Sequence, residues 1–138
     1  MKSLHWGLDE ILDRIPALLD VSGGATLLDL CCGHGRNTEE PAARGLWVVG
    51  VDRSSGFLRR ARSEHTTRAR FLLSDVTALP VAEAAVDGTY CWFSSIVYGE
   101  AESDRRLLRE AWRALRPGAR LVVESRNAFV GRRPGEEP

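Results

Sequence analysis

Blocks of apolar residues alternate along the chain with stretches whose apolar positions recur at helical spacing. Near-continuous apolar runs are typical of parallel strands covered on both faces. They predict strands at Thr26–Cys32, Leu46–Asp52, Arg70–Asp75, Val86–Ser95 and Ala119–Ser125. Apolar residues spaced three and four apart predict helices at Leu4–Leu19, Arg36–Arg44, Phe57–Glu64 and Asp104–Leu115. Residues 78–85 are too few for a crossover helix and are expected to form a loop.

Prolines modify three of these elements. Pro16 bends or restarts the first helix, and Pro41 shifts the start of the second towards Thr38, with Asn37 or Thr38 as its cap. The Arg-Pro-Gly sequence at 116–118 ends the last helix before the fifth strand begins. One face of that last helix is predicted to carry Leu107, Leu108, Ala111, Trp112 and Leu115.

The element order β-α-β-α-β-β-α-β predicts an α/β domain with an open, mainly parallel, doubly wound sheet. Right-handed crossovers give the strand order 3-2-1-4-5. We expect the domain to span residues 1–128, followed by a flexible, charged tail at 129–138 rich in glycine and proline. The carboxyl ends of parallel strands meet at one edge, so this topology brings Gly33, Asp52, Asp75 and the loop after Phe93 together.

A glycine turn follows the first strand. Gly33 and Gly35 supply positive φ angles and a bare backbone that a ligand can approach. A dinucleotide fingerprint would place a third glycine where Thr38 stands, and Asp29 before the turn would repel a pyrophosphate. That acid instead suits a ligand carrying an ammonium or sulfonium. The alternative is an ordinary strand-to-helix turn in which Asp29 has only a capping role.

Acids also end the second and third strands. Asp52 suits the two hydroxyls of a ribose, and its alternative role is to cap the next helix. The Asp75 carboxylate and the Val76 backbone N–H suit the amino edge of adenine, with Val76 or Leu79 against the ring. The alternative for Asp75 is a simple loop acid. At the end of the fourth strand, Trp92 and Phe93 are candidate substrate contacts, and the equally weighted alternative is that they are core aromatics. Tyr98 is a further substrate candidate.

Composition narrows the function classes. The chain has 138 residues and a formal net charge of zero, which gives no general electrostatic case for nucleic acid or an anionic membrane. No apolar run is long enough to span a bilayer, and the N-terminus lacks a secretory signal, so we expect a cytoplasmic protein. Cys31, Cys32 and Cys91 have no metal-ligand spacing. They predict buried free thiols, with a reactive thiol at Cys91 as the alternative.

Together these segments resemble class I SAM-dependent methyltransferases (SAM, S-adenosylmethionine) of the small-molecule type. The resemblance covers residues 25–127. It is carried by Leu27-Leu-Asp-Leu-Cys-Cys-Gly-His-Gly-Arg, Val48-Val-Gly-Val-Asp-Arg-Ser with Phe57-Leu, Ser74-Asp-Val with Leu79-Pro, Asp87-Gly-Thr-Tyr-Cys-Trp-Phe-Ser-Ser, and the run from Leu108 to Glu124.

The resemblance implies roles for individual residues. Asp29, Gly33 and Gly35 would hold the methionine end of SAM, and the Cys91 carbonyl its amino group. Asp52 would take the ribose, and Asp75 with Val76 the adenine. Further motif residues implied in the cofactor site are Cys31 and Arg53. No residue is identified as the catalytic base, and no metal is expected.

The chain is apparently shortened at both ends relative to that family, lacking the usual sixth and seventh strands. Residues 121–124 would then form an uncovered edge strand, which predicts pairing with a dimer mate or another partner chain. The leading hypothesis is methyl transfer to a small-molecule nucleophile, with a partner completing the site. The alternatives are a non-catalytic, SAM-binding or partner-stabilising subunit, and a nucleotide-binding oxidoreductase, which Thr38 and Asp29 disfavour.

Overall fold

The computed structural model describes residues 10, 13–65, 68–92 and 100–124. The helices are α1 (Ile15–Leu19), α2 (Arg36–Ala43), α3 (Ser55–Glu64) and α4 (Ala101–Ala114). The strands are β1 (Thr26–Leu30), β2 (Trp47–Asp52), β3 (Ala69–Leu73), β4 (Val86–Cys91) and β5 (Leu115–Val123). Pro16 lies in the first turn of α1, where its missing N–H leaves no hydrogen bond unmade, so a helix begins at this proline. Most of the predicted helix before it, at residues 4–9, 11 and 12, lies outside the described residues.

The strands form one sheet in the order β3-β2-β1-β4-β5, and every pairing is parallel. The predicted α/β fold and strand order are therefore confirmed. The described residues contain these five strands and no sixth or seventh. The proposed domain boundary at 128 and the tail at 129–138 lie outside the described residues.

Helices cover both faces of the sheet, because successive strand residues point to opposite sides. The first core joins α1 and α2 to one face, and the second core packs α4 on the other. The first core contains Ile15, Leu19, Leu27, Ala42, Leu46, Val48, Ala69, Tyr90 and Trp92. The second core contains Leu28, Leu30, Val51, Leu79, Val86, Cys91, Leu107, Ala111, Ala114 and Leu115.

Two expectations around α4 were wrong. Leu107 and Ala111 are buried, but Leu108 is 39% and Trp112 76% exposed, because the buried stripe runs through 107, 111 and 114. Residues 116–118 do not separate helix from strand. Leu115 already pairs with Val86, and the register then shifts, so that residues 86 to 88 of β4 oppose residues 115 to 120 of β5. The Arg-Pro-Gly sequence therefore forms an irregularity inside β5.

The start of α2 also differs from the prediction. The helix begins at Arg36 and runs through Pro41, with Gly35 rather than Asn37 or Thr38 at its N-cap position. Pro41 has no N–H to donate to the carbonyl of Asn37, four residues earlier. The buried Tyr90 hydroxyl donates to that carbonyl at 2.8 Å instead. A side chain from the sheet thus replaces the backbone hydrogen bond that the proline removes.

This replacement makes a testable prediction. Tyr90→Phe should lower the free energy of unfolding by about 1–3 kcal/mol, because it leaves a buried carbonyl without a donor. In a Pro41→Ala background the new N–H can serve that carbonyl, and the same substitution should lose much less stability. Urea unfolding of the four proteins in this double-mutant cycle measures the coupling. Equal losses in both backgrounds would contradict the assignment.

Candidate functional site

The turn after β1 contains three residues with positive φ. Cys31, Gly33 and Gly35 have φ of 59°, 56° and 88°. A Cβ added to Gly35 would lie 2.7 Å from Cζ of Phe71 and 2.9 Å from Cδ2 of His65, so this glycine permits close internal packing. A Cβ on Gly33 would have no described neighbour within 4 Å. Gly33 therefore leaves open the space that a ligand can enter.

Asp52 fastens this turn to the end of β2. Its Oδ2 accepts a hydrogen bond from the Gly33 N–H at 2.9 Å, and its Oδ1 accepts one from the Ser54 N–H at 2.8 Å. The capping residue of α3 is Ser54, whose hydroxyl accepts from the Phe57 N–H at 3.2 Å. A carboxylate has about four acceptor positions, so Asp52 keeps capacity for ligand hydroxyls while it orders the turn.

Asp29 lies beneath the turn and is 1% exposed. Its Oδ2 accepts a hydrogen bond from the Thr38 hydroxyl of α2 at 2.7 Å, which explains why Thr38 is buried and does not cap the helix. Burial raises the pKa of Asp29 from 3.8 to about 7; the Thr38 hydrogen bond opposes this rise and the nearby Asp52 carboxylate adds to it. The group ties β1 to α2 and does not line the cleft described next.

A cleft of about 490 Å³ opens at the carboxyl ends of β1, β2 and β3, beside the first turns of α4. Five of the sequence-predicted cofactor residues line it: Cys31, Asp52, Arg53, Asp75 and Val76. Sequence reasoning missed the rest of the lining, which consists of Ser74, Thr77, Ser103, Asp104, Arg106 and Leu107. Ser103 was missed because α4 starts at Ala101, three residues earlier than predicted; the other α4 residues lie in the predicted helix, but its pattern does not show that its first turns lie beside the strand ends.

Asp75 combines a local role with a position in the cleft. Its Oδ1 accepts hydrogen bonds from the backbone N–H and the hydroxyl of Thr77, at 2.8 and 2.7 Å. These bonds, the backbone one foremost, lower the pKa of Asp75, and the guanidinium groups of Arg53 and Arg106 lower it further. The carboxylate is thus ionised at neutral pH and faces a cleft that also contains cationic groups.

Four of the predicted cofactor residues are not among those that line the cleft: Asp29, Gly33, Gly35 and Cys91. Cys91 is fully buried, and its carbonyl accepts the β-ladder hydrogen bond from the Glu124 N–H at 3.0 Å. Trp92 packs in the first core and Leu79 in the second. Phe93 and Tyr98 lie outside the described residues.

The described part of the chain contains no cluster of three or more metal-ligating side chains. None of its helices is long and apolar enough to cross a bilayer.

The chemistry of the cleft fits an adenosyl sulfonium. The volume lies within the usual range for small-molecule sites, roughly 300–1,000 Å³. Carboxylates from two strand ends offer acceptors for hydroxyl and amino groups, and Gly33 leaves space for close approach. A diphosphate would instead meet the Asp52 carboxylate, which already holds the turn's N–H group.

Comparison with known proteins agrees with this geometry. A family model described as a methyltransferase domain matches residues 27–118. A 2-phytyl-1,4-naphtoquinone methyltransferase from Thermosynechococcus vestitus is 36% identical over 128 residues, covering 87% of this chain and 55% of that protein.

Two solved structures resemble the fold. A TehB-like SAM-dependent methyltransferase from Corynebacterium glutamicum is 23% identical, with a TM-score of 0.73 over 81% of this chain and 59% of that one. The complex of a Trm112 methyltransferase activator with a methyltransferase, from Haloferax volcanii, contains a chain that is 26% identical. Its TM-score is 0.70, over 79% of this chain and 48% of that one.

The chain spans about half the length, or less, of the curated relatives that it matches. The family match nevertheless includes the glycine turn, both acidic strand ends and α4. The chain belongs to the family of class I SAM-dependent methyltransferase domains.

Proposed function

We propose that the cleft binds SAM and that the chain contributes this site to methyl transfer onto a small-molecule nucleophile. The single observation that carries the proposal is the convergence of Cys31, Asp52, Arg53, Asp75 and Val76 on one cleft of about 490 Å³. Asp52 would accept from the ribose hydroxyls, and Asp75 with the Val76 N–H would read the adenine edge. The turn around Gly33 would receive the methionine end, above the buried Asp29.

In this reaction the chain's residues would bind and orient the cofactor. Bound SAM would supply an electrophilic methyl group on its sulfonium. Asp52 holds the turn through Gly33, so the turn that would receive the methionine end is fixed relative to the cleft. The described cleft residues thus supply positioning, which is where a displacement at a methyl group gains most of its rate.

Calorimetric titration of the chain with SAM, and separately with NADH, tests the cofactor assignment. We expect SAM to bind and NADH not to bind. Tight NADH binding without SAM binding would favour the oxidoreductase alternative and overturn the proposal.

Gly33→Ala provides a structural test of the same site. The Cβ meets nothing in the described structure, so stability should fall only by the strain of positive φ, about 1 kcal/mol. SAM affinity should fall at least tenfold, because the methyl group occupies the space through which the ligand approaches. Calorimetry and urea unfolding measure the two effects separately.

Gly24→Ala is the matched control. Gly24 has φ of 85° and equally open space, but it lies in the turn before β1, away from the cleft. It should lose similar stability and keep full SAM affinity. A Gly33→Ala protein that binds SAM as the control does would show that the ligand does not approach this turn.

We also propose that a dimer mate or another partner chain pairs with β5. Among the described residues β5 is an edge strand, and its Val123 is 38% exposed. The Haloferax volcanii complex shows that a protein of similar fold is found with a partner. Light scattering of the purified chain tests the homodimer; a monomer that turns over SAM alone would contradict the need for a partner.

The alternative is a non-catalytic subunit that binds SAM or stabilises a methyltransferase partner. Transfer of labelled methyl from SAM to a reduced 1,4-naphthoquinone, chosen from the name of the Thermosynechococcus relative, tests catalysis. SAM binding without turnover on this and other acceptors, alone or as a dimer, would favour the subunit.

We also place the protein in the cytoplasm. The three cysteines are free in the structure, as expected of a reducing compartment. Cell fractionation with an antibody against the chain checks this location.

A further inference from the structure

Cys31 has an unusual backbone for its residue type. It is the residue directly after β1, and its φ of 59° lies in the left-handed region. A non-glycine residue in that region is strained. Cys31 is half-buried and lines the proposed SAM cleft, so its side chain is reached from that cleft.

The sheet register brings Cys31 close to Cys91. Leu30 of β1 is aligned with Cys91 of β4, and Cys31 is the next residue. Ideal spacings of about 4.8 Å between strands and about 3.3 Å per residue would place the two Cα atoms about 5–6 Å apart. That separation is the commonest one for disulfide-bonded cysteines, about 5.5–6 Å.

The positive φ of Cys31 also sets the direction of its side chain. In a continuing strand Cys31 would point to the face opposite Leu30. It instead packs against the second core, which contains both Leu30 and Cys91. Both cysteines therefore lie at the same core, and the Cys31 side chain is the first cause of the raised pKa of Cys91.

Cys32 is separated from this pair. It is 7% exposed, and its thiol contacts the Gly33 carbonyl at 3.7 Å. Its Sγ also lies 2.8 Å from the position of a Cβ on Gly50, so Cys32 faces β2. The adjacent cysteine is therefore a natural internal control.

We propose that Cys31 and Cys91 form a reversible oxidation site. Their disulfide ties β1 to β4 at the cleft and lowers the affinity of the cleft for SAM. This regulatory role rests on the proposed function, whereas the cross-link itself does not. In the disulfide the two sulfurs are about 2.05 Å apart, so the Cys31 side chain, which lines the cleft, is held against β4. This changes the cleft wall two residues before the Gly33 N–H that Asp52 holds.

The oxidation balances with a peroxide as the two-electron oxidant. The Cys31 thiolate attacks one peroxide oxygen, the O–O bond breaks, and the leaving hydroxide takes up a proton as water. The resulting sulfenic acid is attacked by the Cys91 sulfur, which gives up its proton. The S–S bond forms, the S–O bond breaks, and the departing hydroxide takes that proton to make a second water.

The roles of the two thiols follow from their surroundings. Cys31 is the one that the cleft exposes, so it meets the peroxide first. The neighbouring Cys31 side chain and the burial of Cys91 raise the pKa of Cys91 well above its usual range. Cys91 is therefore the slower, resolving thiol.

The test treats the purified full chain with hydrogen peroxide, blocks free thiols with an alkylating reagent, and maps cross-linked peptides by mass spectrometry. We expect a Cys31–Cys91 cross-link with Cys32 still reduced. SAM affinity by calorimetry should fall about tenfold and return with dithiothreitol. A cross-link with unchanged SAM affinity would overturn the regulatory role. Its absence, or a link through Cys32 or between chains, would overturn the site.

Variants separate this proposal from the proposed function. Cys32→Ser should keep the peroxide response, whereas Cys31→Gly should lose it and gain stability at the positive φ. Cys91→Ser should lose the response if it folds; the Cys31→Gly result and the peptide map decide the matter if it does not. A reduced wild-type chain that does not bind SAM refutes the proposed function, while the map still reports on the thiol pair.

Discussion

Asp29→Asn should stabilise the protein at pH 8 by about 2–4 kcal/mol and change its stability little at pH 4. Burial raises the pKa of this carboxyl in the folded chain from 3.8 to about 7, equivalent to roughly 4 kcal/mol at the full shift. Asparagine keeps an acceptor oxygen for the Thr38 hydroxyl but carries no charge to bury.

The sign follows from proton binding. Between about pH 4 and pH 7 the folded chain keeps the Asp29 proton, while the unfolded chain has lost it. The folded state then binds more protons, so wild-type stability falls as pH rises through this window. The substitution removes that fall. Urea unfolding at pH 4, 6 and 8 measures the difference. A variant less stable than wild type at pH 8 would contradict the raised pKa of Asp29.

Asp87→Asn is the control with the opposite slope. The Asp87 carboxylate accepts from the Thr26 N–H at 2.8 Å and pairs with Arg116, and these contacts lower its pKa, the Thr26 hydrogen bond foremost. Its contribution is present at neutral pH and is lost as pH falls through the lowered pKa. The variant should therefore be destabilised at pH 7 and approach wild type in acid.

Asp52→Asn is expected to have the largest effect on the site itself. Asparagine offers one oxygen where the carboxylate offers two, so it can serve the Gly33 N–H or the Ser54 N–H but not both. It also weakens the acceptor proposed for the ribose. We expect SAM affinity to fall about thirty- to hundredfold, or about 2–3 kcal/mol, measured by calorimetry.

Asp20→Asn is the matched control for this change. Asp20 is an exposed acid with φ of 55°, a conformation that asparagine tolerates, and it lies away from the cleft. It loses the same charge and should leave SAM affinity unchanged. If both variants bind SAM equally, Asp52 neither holds the turn nor contacts the ligand. A comparable fall in both would point to net charge instead.

Asp52 and Asp29 hold the turn after β1 from opposite sides. Asp52 accepts a hydrogen bond from Gly33 on the cleft side, and Asp29 accepts one from Thr38 in the core beneath the turn. Asp52 lines the cleft, whereas Asp29 is buried beneath it. We therefore expect Asp52 substitutions to act mainly on binding and Asp29 substitutions mainly on the pH dependence of stability.

The sequence by itself determined the sheet and the place of the site. The apolar runs that form β1 and β2, and the change of period between strands and helices, are local properties of the chain. Short parallel crossovers leave few topologies, so the strand order followed. The glycine turn and the acids at strand ends were visible because each lies at a fixed offset from a strand.

Only the tertiary structure decided which groups are buried together. Pro41 predicted a late start for α2, but a hydroxyl from β4, 49 residues further along the chain (Tyr90), supplies the missing donor. The position of the α4 residues in the cleft likewise depends on the packing of this helix beside the strand ends. The proximity of Cys31 and Cys91 depends on the register between β1 and β4. Side-chain burial, and hence the raised pKa of Asp29, is a property of packing between distant segments, which periodicity along one segment does not encode.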